Sequence, residues 1–173
     1  RAEQLAGHHA EARAALTRAL ALDPELAPAH AVLGLVQVAQ GEREAAEASF
    51  RHALQLVPND AATATALADL FAATERYEEA LEQYRAAADM NPNDPTPLLL
   101  GARLAVRLGR TLFATAYLDL ALERRPGHWG ALDLYGDVML ARNDRARART
   151  YFTEALRTAP AESRAGIEAK LRG

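Results

Sequence analysis

The chain contains no cysteine, a single lysine (Lys170), one tryptophan, two serines and only 6% aromatic residues. Without cysteine there is no disulfide, no zinc-thiolate site and no thiol nucleophile. That absence suits an exported protein and a cytosolic one equally. Ser49 and Ser163 stand outside any Gly-x-Ser-x-Gly turn, and no glycine-rich loop leads into a lysine to cradle phosphate. No apolar run approaches the roughly 18 to 20 residues of a membrane span, so direct membrane insertion is not expected. The net charge of -3 lacks the strongly basic balance of a nucleic-acid binder. Arg1 opens the chain with neither Met nor a charged-then-apolar leader. The expectation is either a leader already removed or a segment of something longer.

What is present is alanine, about a quarter of the chain. Alanine is the best helix former, and β-branched residues are scarce, so an all-α protein is expected. Half of the residues are hydrophobic, which is ordinary for a folded chain. The use of arginine for almost every basic residue, with the alanine excess, points by association to a GC-rich bacterial coding sequence. The near-neutral charge is uneven. Residues 1–86 carry 7 basic and 13 acidic side chains, a net of -6, and residues 87–173 carry 13 and 10, a net of +3.

The prolines reveal an internal repeat. Pro24, Pro58, Pro92, Pro126 and Pro160 are each 34 residues from the next. Between them a pattern recurs: Leu33-Gly34, Gly41, Ala46, Phe50 and Ala53; Leu67-Ala68, Phe71, Ala80, Tyr84 and Ala87; Tyr135-Gly136, Met139, Ala148, Phe152 and Ala155. Each unit holds two apolar stretches of helical period. Small residues recur where two helices approach closely, and large ones fill the space beside them. Each proline stops a second helix. Asp60 and Asp94 stand where N-caps would start the next one, with Pro95 at a first helical position. Gly7, Gly41 and Asn143 read as helix-ending signals within units. The spacing predicts helix pairs at 27–40 and 43–56, 61–73 and 77–90, 95–108 and 111–124, and 129–141 and 145–158. A final helix near 161–171 would turn Ile167 and Leu171 inward and leave Glu162, Arg164, Glu168 and Arg172 wet.

This pattern resembles the tetratricopeptide repeat family over nearly the whole chain. The resemblance implies one domain, 1–173, folded as a right-handed α-solenoid. It would comprise a partial repeat (1–26), full repeats at 27–60, 61–94, 95–128 and 129–162, and a capping helix at 161–173. A solenoid that begins with half a unit leaves an apolar edge, covered by preceding residues or by a partner. The 95–128 unit is irregular, because Leu100-Gly101 lies one residue early. Its first helix is either slid back by one residue, or kept in register with Ala102 in the small position. One residue is about 100° of helix, so the choice changes the face presented.

In the family, first helices line a concave groove that takes peptides or helices. Carried over, the lining is Ala31, Val32, Leu35 and Val38, then Thr65, Asp69 and Ala72, then Asp133, Asp137 and Leu140. The irregular unit offers Leu99, Arg103 and Val106 in one register, or Leu98, Ala102 and Ala105 in the other. This lining is small and apolar with a few acids. The Lys, Asn and Arg set by which chaperone-binding members hold a C-terminal carboxylate is missing. An amphipathic helix or apolar peptide is the partner such a groove favours.

Other signals have bland readings. Glu78-Glu79, beside Arg76 and Arg85, reads as a solvated helix face with ion pairs. His8-His9 reads as a turn between helices, since nothing at i+4 completes a metal site. His30 reads as packed or half-exposed. Trp129, after His128, reads as packing on a neighbouring turn ahead of anchoring a partner. Arg142, Arg145, Arg147 and Arg149 read as a solvated face balanced by Asp144 and Glu154, ahead of an acidic partner's site. No catalytic set, metal site or cofactor is expected.

The expected function is a non-enzymatic scaffold for a protein or peptide partner. The runs Ala68-Asp69-Leu70-Phe71 and Leu98 to Ala105 resemble the repeat-containing lipoproteins that help assemble pilus secretins, which implies an envelope setting. Two alternatives stand beside it. One is head-to-tail self-association of the acidic and basic halves as a homo-oligomer. The other is service as the interaction module of a larger enzyme or transport protein. The sequence does not decide between the bacterial cytoplasm and the periplasm.

Overall fold

The computed structural model describes residues 2–172, with side chains from His8 onward. Among the described residues there are ten α-helices and no strand: α1 (Ala2–Leu22), α2 (Ala27–Gln40), α3 (Arg43–Leu56), α4 (Ala61–Ala73), α5 (Tyr77–Met90), α6 (Thr96–Arg107), α7 (Thr111–Arg124), α8 (Trp129–Ala141), α9 (Arg145–Thr158) and α10 (Ala161–Arg172). The chain divides into two compact units, Arg1–Met90 with α1 to α5 and Asn91–Gly173 with α6 to α10. In each, helices pack as antiparallel pairs, α2 with α3 and α4 with α5 in the first, α6 with α7 and α8 with α9 in the second.

Local chemistry sets the helix ends. The Asp60 carboxylate accepts hydrogen bonds from the backbone N–H groups of Ala62 (3.1 Å) and Thr63 (3.2 Å), capping α4. Asp94 accepts from the Thr96 N–H at 2.9 Å, but the helix begins one residue later than the proline spacing predicts. Pro95 thus flanks α6 and Pro97 is buried within its first turn. His128 caps α8 through Nδ1, which accepts from the Ala131 N–H at 3.3 Å. Burial, aided by Arg125, holds its pKa below the ordinary histidine value, so the ring stays the neutral acceptor that capping needs. The turns within pairs place residues 41, 75, 109 and 143 at positive φ, again 34 apart. Gly41 adopts this left-handed conformation without steric cost, and the N–H of Glu42 returns to the Gln37 carbonyl at 2.9 Å.

Gly7 does not end a helix. The backbone of α1 continues through it, and His8 and His9 lie inside α1 instead of in a turn. The side chain of Gly7's neighbourhood up to residue 7 lies outside the described residues. With Leu5 and Ala6 before it and Ala10 and Glu11 a turn beyond, one glycine costs about 1 kcal/mol of helix propensity, too little to stop a helix of 21 residues.

Packing within pairs depends on missing side-chain volume. A Cβ on Gly34 would lie 2.6 Å from the Phe50 ring, and one on Gly136 would lie 2.3 Å from the Phe152 ring. Ala46, Ala53, Ala148 and Ala155 are buried beside those rings. The irregular unit obeys the same rule with a shifted aromatic. A Cβ on Gly101 would lie 2.7 Å from the Tyr117 ring, while Leu118 fills the interior position that Phe50 and Phe152 hold elsewhere. The helix itself is not slid back. The buried residues of α4 are Thr63, Ala64, Leu67, Ala68, Leu70 and Phe71, and those of α6 are Pro97, Leu98, Gly101, Ala102, Leu104 and Ala105, each 34 residues later.

These crossings predict opposite outcomes for two glycine-to-alanine changes. Gly136→Ala forces Phe152 to move and destabilises by about 1–3 kcal/mol. Gly166, mid-helix in α10, has open space where a Cβ would stand. Gly166→Ala therefore stabilises by about 0.5–1 kcal/mol. Urea unfolding followed by circular dichroism reads both, and a shift of the same sign for the two refutes the packing argument.

Candidate functional site

In the first unit, α2 and α4 lie side by side and bring part of the expected lining together. Val32, Leu35 and Val38 project from α2 with 45%, 53% and 43% of their surface exposed, which is unusual for apolar side chains spaced along one helix face. Ala31 is half-buried beside them. Between α2 and α4 lies a cleft of about 230 Å³ lined by Pro28, Ala31, Val32, Leu35, Phe50, Asp60, Ala62, Thr63 and Ala66. The polar positions of α4 already have partners. The Thr65 hydroxyl donates to the Ala61 carbonyl at 2.7 Å, and Asp69 accepts a short hydrogen bond from the Tyr84 hydroxyl of α5. Ala72 is half-buried.

In the second unit, α6 and α8 are likewise adjacent. Leu99, Arg103 and Val106 stay accessible, whereas Leu98, Ala102 and Ala105 are fully buried. The latter three are interior, so the alternative register does not describe a surface. Leu140 is exposed. Asp133 and Asp137 are engaged: Lys170 of α10 places its Nζ 2.9 Å from both carboxylate oxygens of Asp133 and 2.7 Å from Asp137 Oδ2. The ammonium also lies 5.4 Å from the centre of the Phe152 ring. Burial alone would lower the lysine pKa, but the hydrogen bonds to Asp137 and Asp133 outweigh it and hold the group above its ordinary value. Burial pushes the Asp137 carboxyl up, against the pull of Lys170 and Arg103.

Lys170 is the residue that the sequence pattern missed. A signal existed, because it lies 33 and 37 residues after Asp137 and Asp133. One repeat length is the separation that sets first helices side by side. Ile167 is buried and Leu171 half-buried, as the α10 pattern predicts.

The remaining signals settle as local structure. The His30 ring meets His52 edge-on, with centroids 4.3 Å apart, and its Nε2 lies 2.8 Å from the Pro24 carbonyl. Trp129 is half-buried and stacks on His128. Arg76 sits over the Phe71 ring at 4.3 Å and reaches Glu47 at 2.6 Å as well as Glu79. The hydrogen bond from Arg76 holds the Glu79 carboxyl below its ordinary range. Arg85 turns to Asp89 at 3.4 Å, away from the acids at the start of α5. The four arginines around the start of α9 are exposed, with Arg147 3.4 Å from Asp144.

A family model described as tetratricopeptide repeat matches residues 1–61 and 32–95. The chain belongs to the tetratricopeptide repeat family. Its all-α run of helix pairs is the fold of that family, and it is also the fold of several solved structures. One is MamA, with a TM-score of 0.75 at 18% identity, covering 97% of this chain and 95% of that one. Another is YrrB, described as a TPR protein with an unusual peptide-binding site, with a TM-score of 0.69 at 23% identity and coverage of 97% and 87%. A third is PilF of Pseudomonas aeruginosa, with a TM-score of 0.73 at 19% identity and coverage of 98% and 82%. No curated protein matches the sequence.

The Lys170 contact makes a prediction with a definite pH sign. A lysine held above its ordinary pKa in the folded state contributes stability below that ordinary value, and the contribution fades as pH rises through the folded one. Lys170→Gln removes it at every pH. With all three side chains about a quarter to a third exposed, its worth is about 1 kcal/mol. Hydrogen exchange of the α10 amides should quicken in Lys170→Gln at neutral pH; unchanged protection would show that the ion pair does not hold the helix down.

Proposed function

We propose that the chain is a non-enzymatic scaffold that holds an amphipathic helix or apolar peptide of a protein partner on the first-helix face of α2 and α4. The repeat family supplies the coarser part, a protein–protein interaction scaffold. The observation that carries the finer part is the row Val32, Leu35 and Val38, left largely exposed above an apolar cleft. Such a row costs solubility when bare. Burying the exposed halves of the three side chains stabilises a complex by about 3 kcal/mol before other contacts are counted. The spacing of three residues along α2 matches helix-in-groove recognition, in which a partner helix presents its own apolar stripe. Acids follow on α4 and α8 rather than the cationic set that grips a terminal carboxylate, so an internal segment of the partner is the fitting ligand.

Within this reading the partner belongs to a bacterial envelope assembly. The support is the likeness of fold to PilF and of short runs to secretin-assembly lipoproteins. The peptide-binding description of YrrB supports a peptide ligand in the same way. Asp133, Asp137, Arg103, Leu99, Val106 and Leu140 would form a first-helix face of the second unit by itself, with Lys170 neutralising the acids. All 173 residues then act as one repeat domain.

A second reading rests on the charge division between acidic and basic halves. Head-to-tail association of copies would be strong at low salt and screened at high salt. Light scattering at both decides it, since a monomer throughout at high concentration removes the idea. The main proposal is tested by capture. Leu35→Asp and Val38→Asp should each weaken retention of the partner by about 100-fold with helical content intact, and undiminished retention would take the α2 face out of consideration.

A further inference from the structure

The second unit carries another surface, which has only Leu140 in common with the first-helix face. Between the end of α8, the start of α9 and the end of α10 opens a cleft of about 430 Å³. Leu140, Phe152 and Leu171 give it an apolar floor, and Arg145, Arg149 and Arg172 stand at its rim.

The first unit shows what such a place takes up. Arg13, on α1, meets Glu42, the residue before α3, at 2.6 Å. Glu47, on α3, meets Arg76, the residue before α5, at 2.6 Å. Both partners are 29 residues apart, and both pairs join the second helix of one repeat to the turn inside the next. The signs are opposite in the two pairs. Arg13 and Glu47 are themselves 34 apart, and three further steps of 34 from Glu47 lead to Arg149. The positions between, Leu81 and Thr115, are uncharged. Where the position is charged, at Arg13 and Glu47, it receives the opposite charge from the residue just before a neighbouring helix, and Arg149 is the next charged residue in the series. Beside it the rim is cationic: α9 carries Arg145, Arg147, Arg149 and Arg157 against Glu154 alone. The acids on the flanking segments are already paired, Asp144 with Arg147 at 3.4 Å and Glu168 with Arg172 along α10 at 3.5 Å, surface pairs worth only a few tenths of a kcal/mol each.

We propose that this cleft docks, end-on, a helical segment of a partner protein that carries an acidic residue at its first turn and a leucine-sized residue about one turn later. The carboxylate would pair with Arg149, flanked by Arg145 and Arg172, while the apolar side chain would enter between Leu140, Phe152 and Leu171. An acid at a helix start also suits the helix macrodipole, so the segment is favourable in itself as well as in the complex. Charge attraction sets the orientation, and the apolar floor supplies the surface removed from water.

The test uses the full 173-residue chain and a fluorescein-labelled, helix-locked peptide with Glu at its first turn and Leu one turn later. Binding is read by anisotropy. Saturable binding is expected, weakened about fivefold or more by Arg149→Glu and by replacing the peptide's Glu with Gln. A peptide with Lys in place of Glu should recover affinity for Arg149→Glu, because a charge swap isolates the pair. Leu35→Asp should leave binding unchanged. Arg149 is exposed, so the variant should keep its circular dichroism and melting temperature, and Arg149→Gln provides a milder second variant. No saturable binding, a loss below fivefold in both Arg149 variants, or loss on Leu35→Asp would each overturn the proposal.

Discussion

The structure depends on one steric constraint: a second helix can cross its partner closely only where the first helix has almost no side chain. Gly34 under Phe50, Gly101 under Tyr117 and Gly136 under Phe152 are three statements of it. The aromatic ring fills what glycine vacates, and alanines on the second helix complete the fit. Once that crossing is fixed, the turn geometry, the burial pattern and the outward face of the first helix all follow. A solenoid has no central core to absorb errors, so each repeat must satisfy this contact for itself. That explains both the abundance of alanine and the scarcity of aromatic residues, each ring needing its own prepared bed.

Much of this was legible in the amino-acid order. The prolines every 34 residues and the small–large alternation locate the helices closely, because both reflect local backbone and volume rules. Gly7 was misread for an instructive reason. A glycine ends a helix when a left-handed residue is wanted there, as at Gly41, and is merely tolerated when its neighbours are strong helix formers. The irregular repeat was ambiguous because two residues, Gly101 and Ala102, are both small. What decides between them is a side chain on another helix, Tyr117, whose shift by one residue lets Gly101 serve as the crossing point while the helix keeps its register.

The surfaces were less legible than the fold. The accessible positions on α2, α4, α6 and α8 could be placed by periodicity, but their state could not. Asp69 and Thr65 are satisfied within the first unit, and Asp133 and Asp137 are answered by a lysine one repeat later. Exposure without occupation is left chiefly to Val32, Leu35 and Val38. Charge alone gave no ranking, since most arginines and acids lie on solvated faces. It became informative only when the separation of paired residues, 29 along the chain, revealed which positions meet across neighbouring repeats.

Those alternating pairs also bear on how such a chain can change length. Repeat proteins gain and lose whole units by duplication and deletion. Here the units are not interchangeable at their seams. Excising residues 27–60 would leave every helix intact, yet it would set Arg13 against Arg76 in place of two matched pairs. Copying that segment in tandem would set Glu47 against Glu42. In the first unit the order of the repeats is thus written in the charges between them, and those two seams disfavour recombination that the fold would otherwise accept.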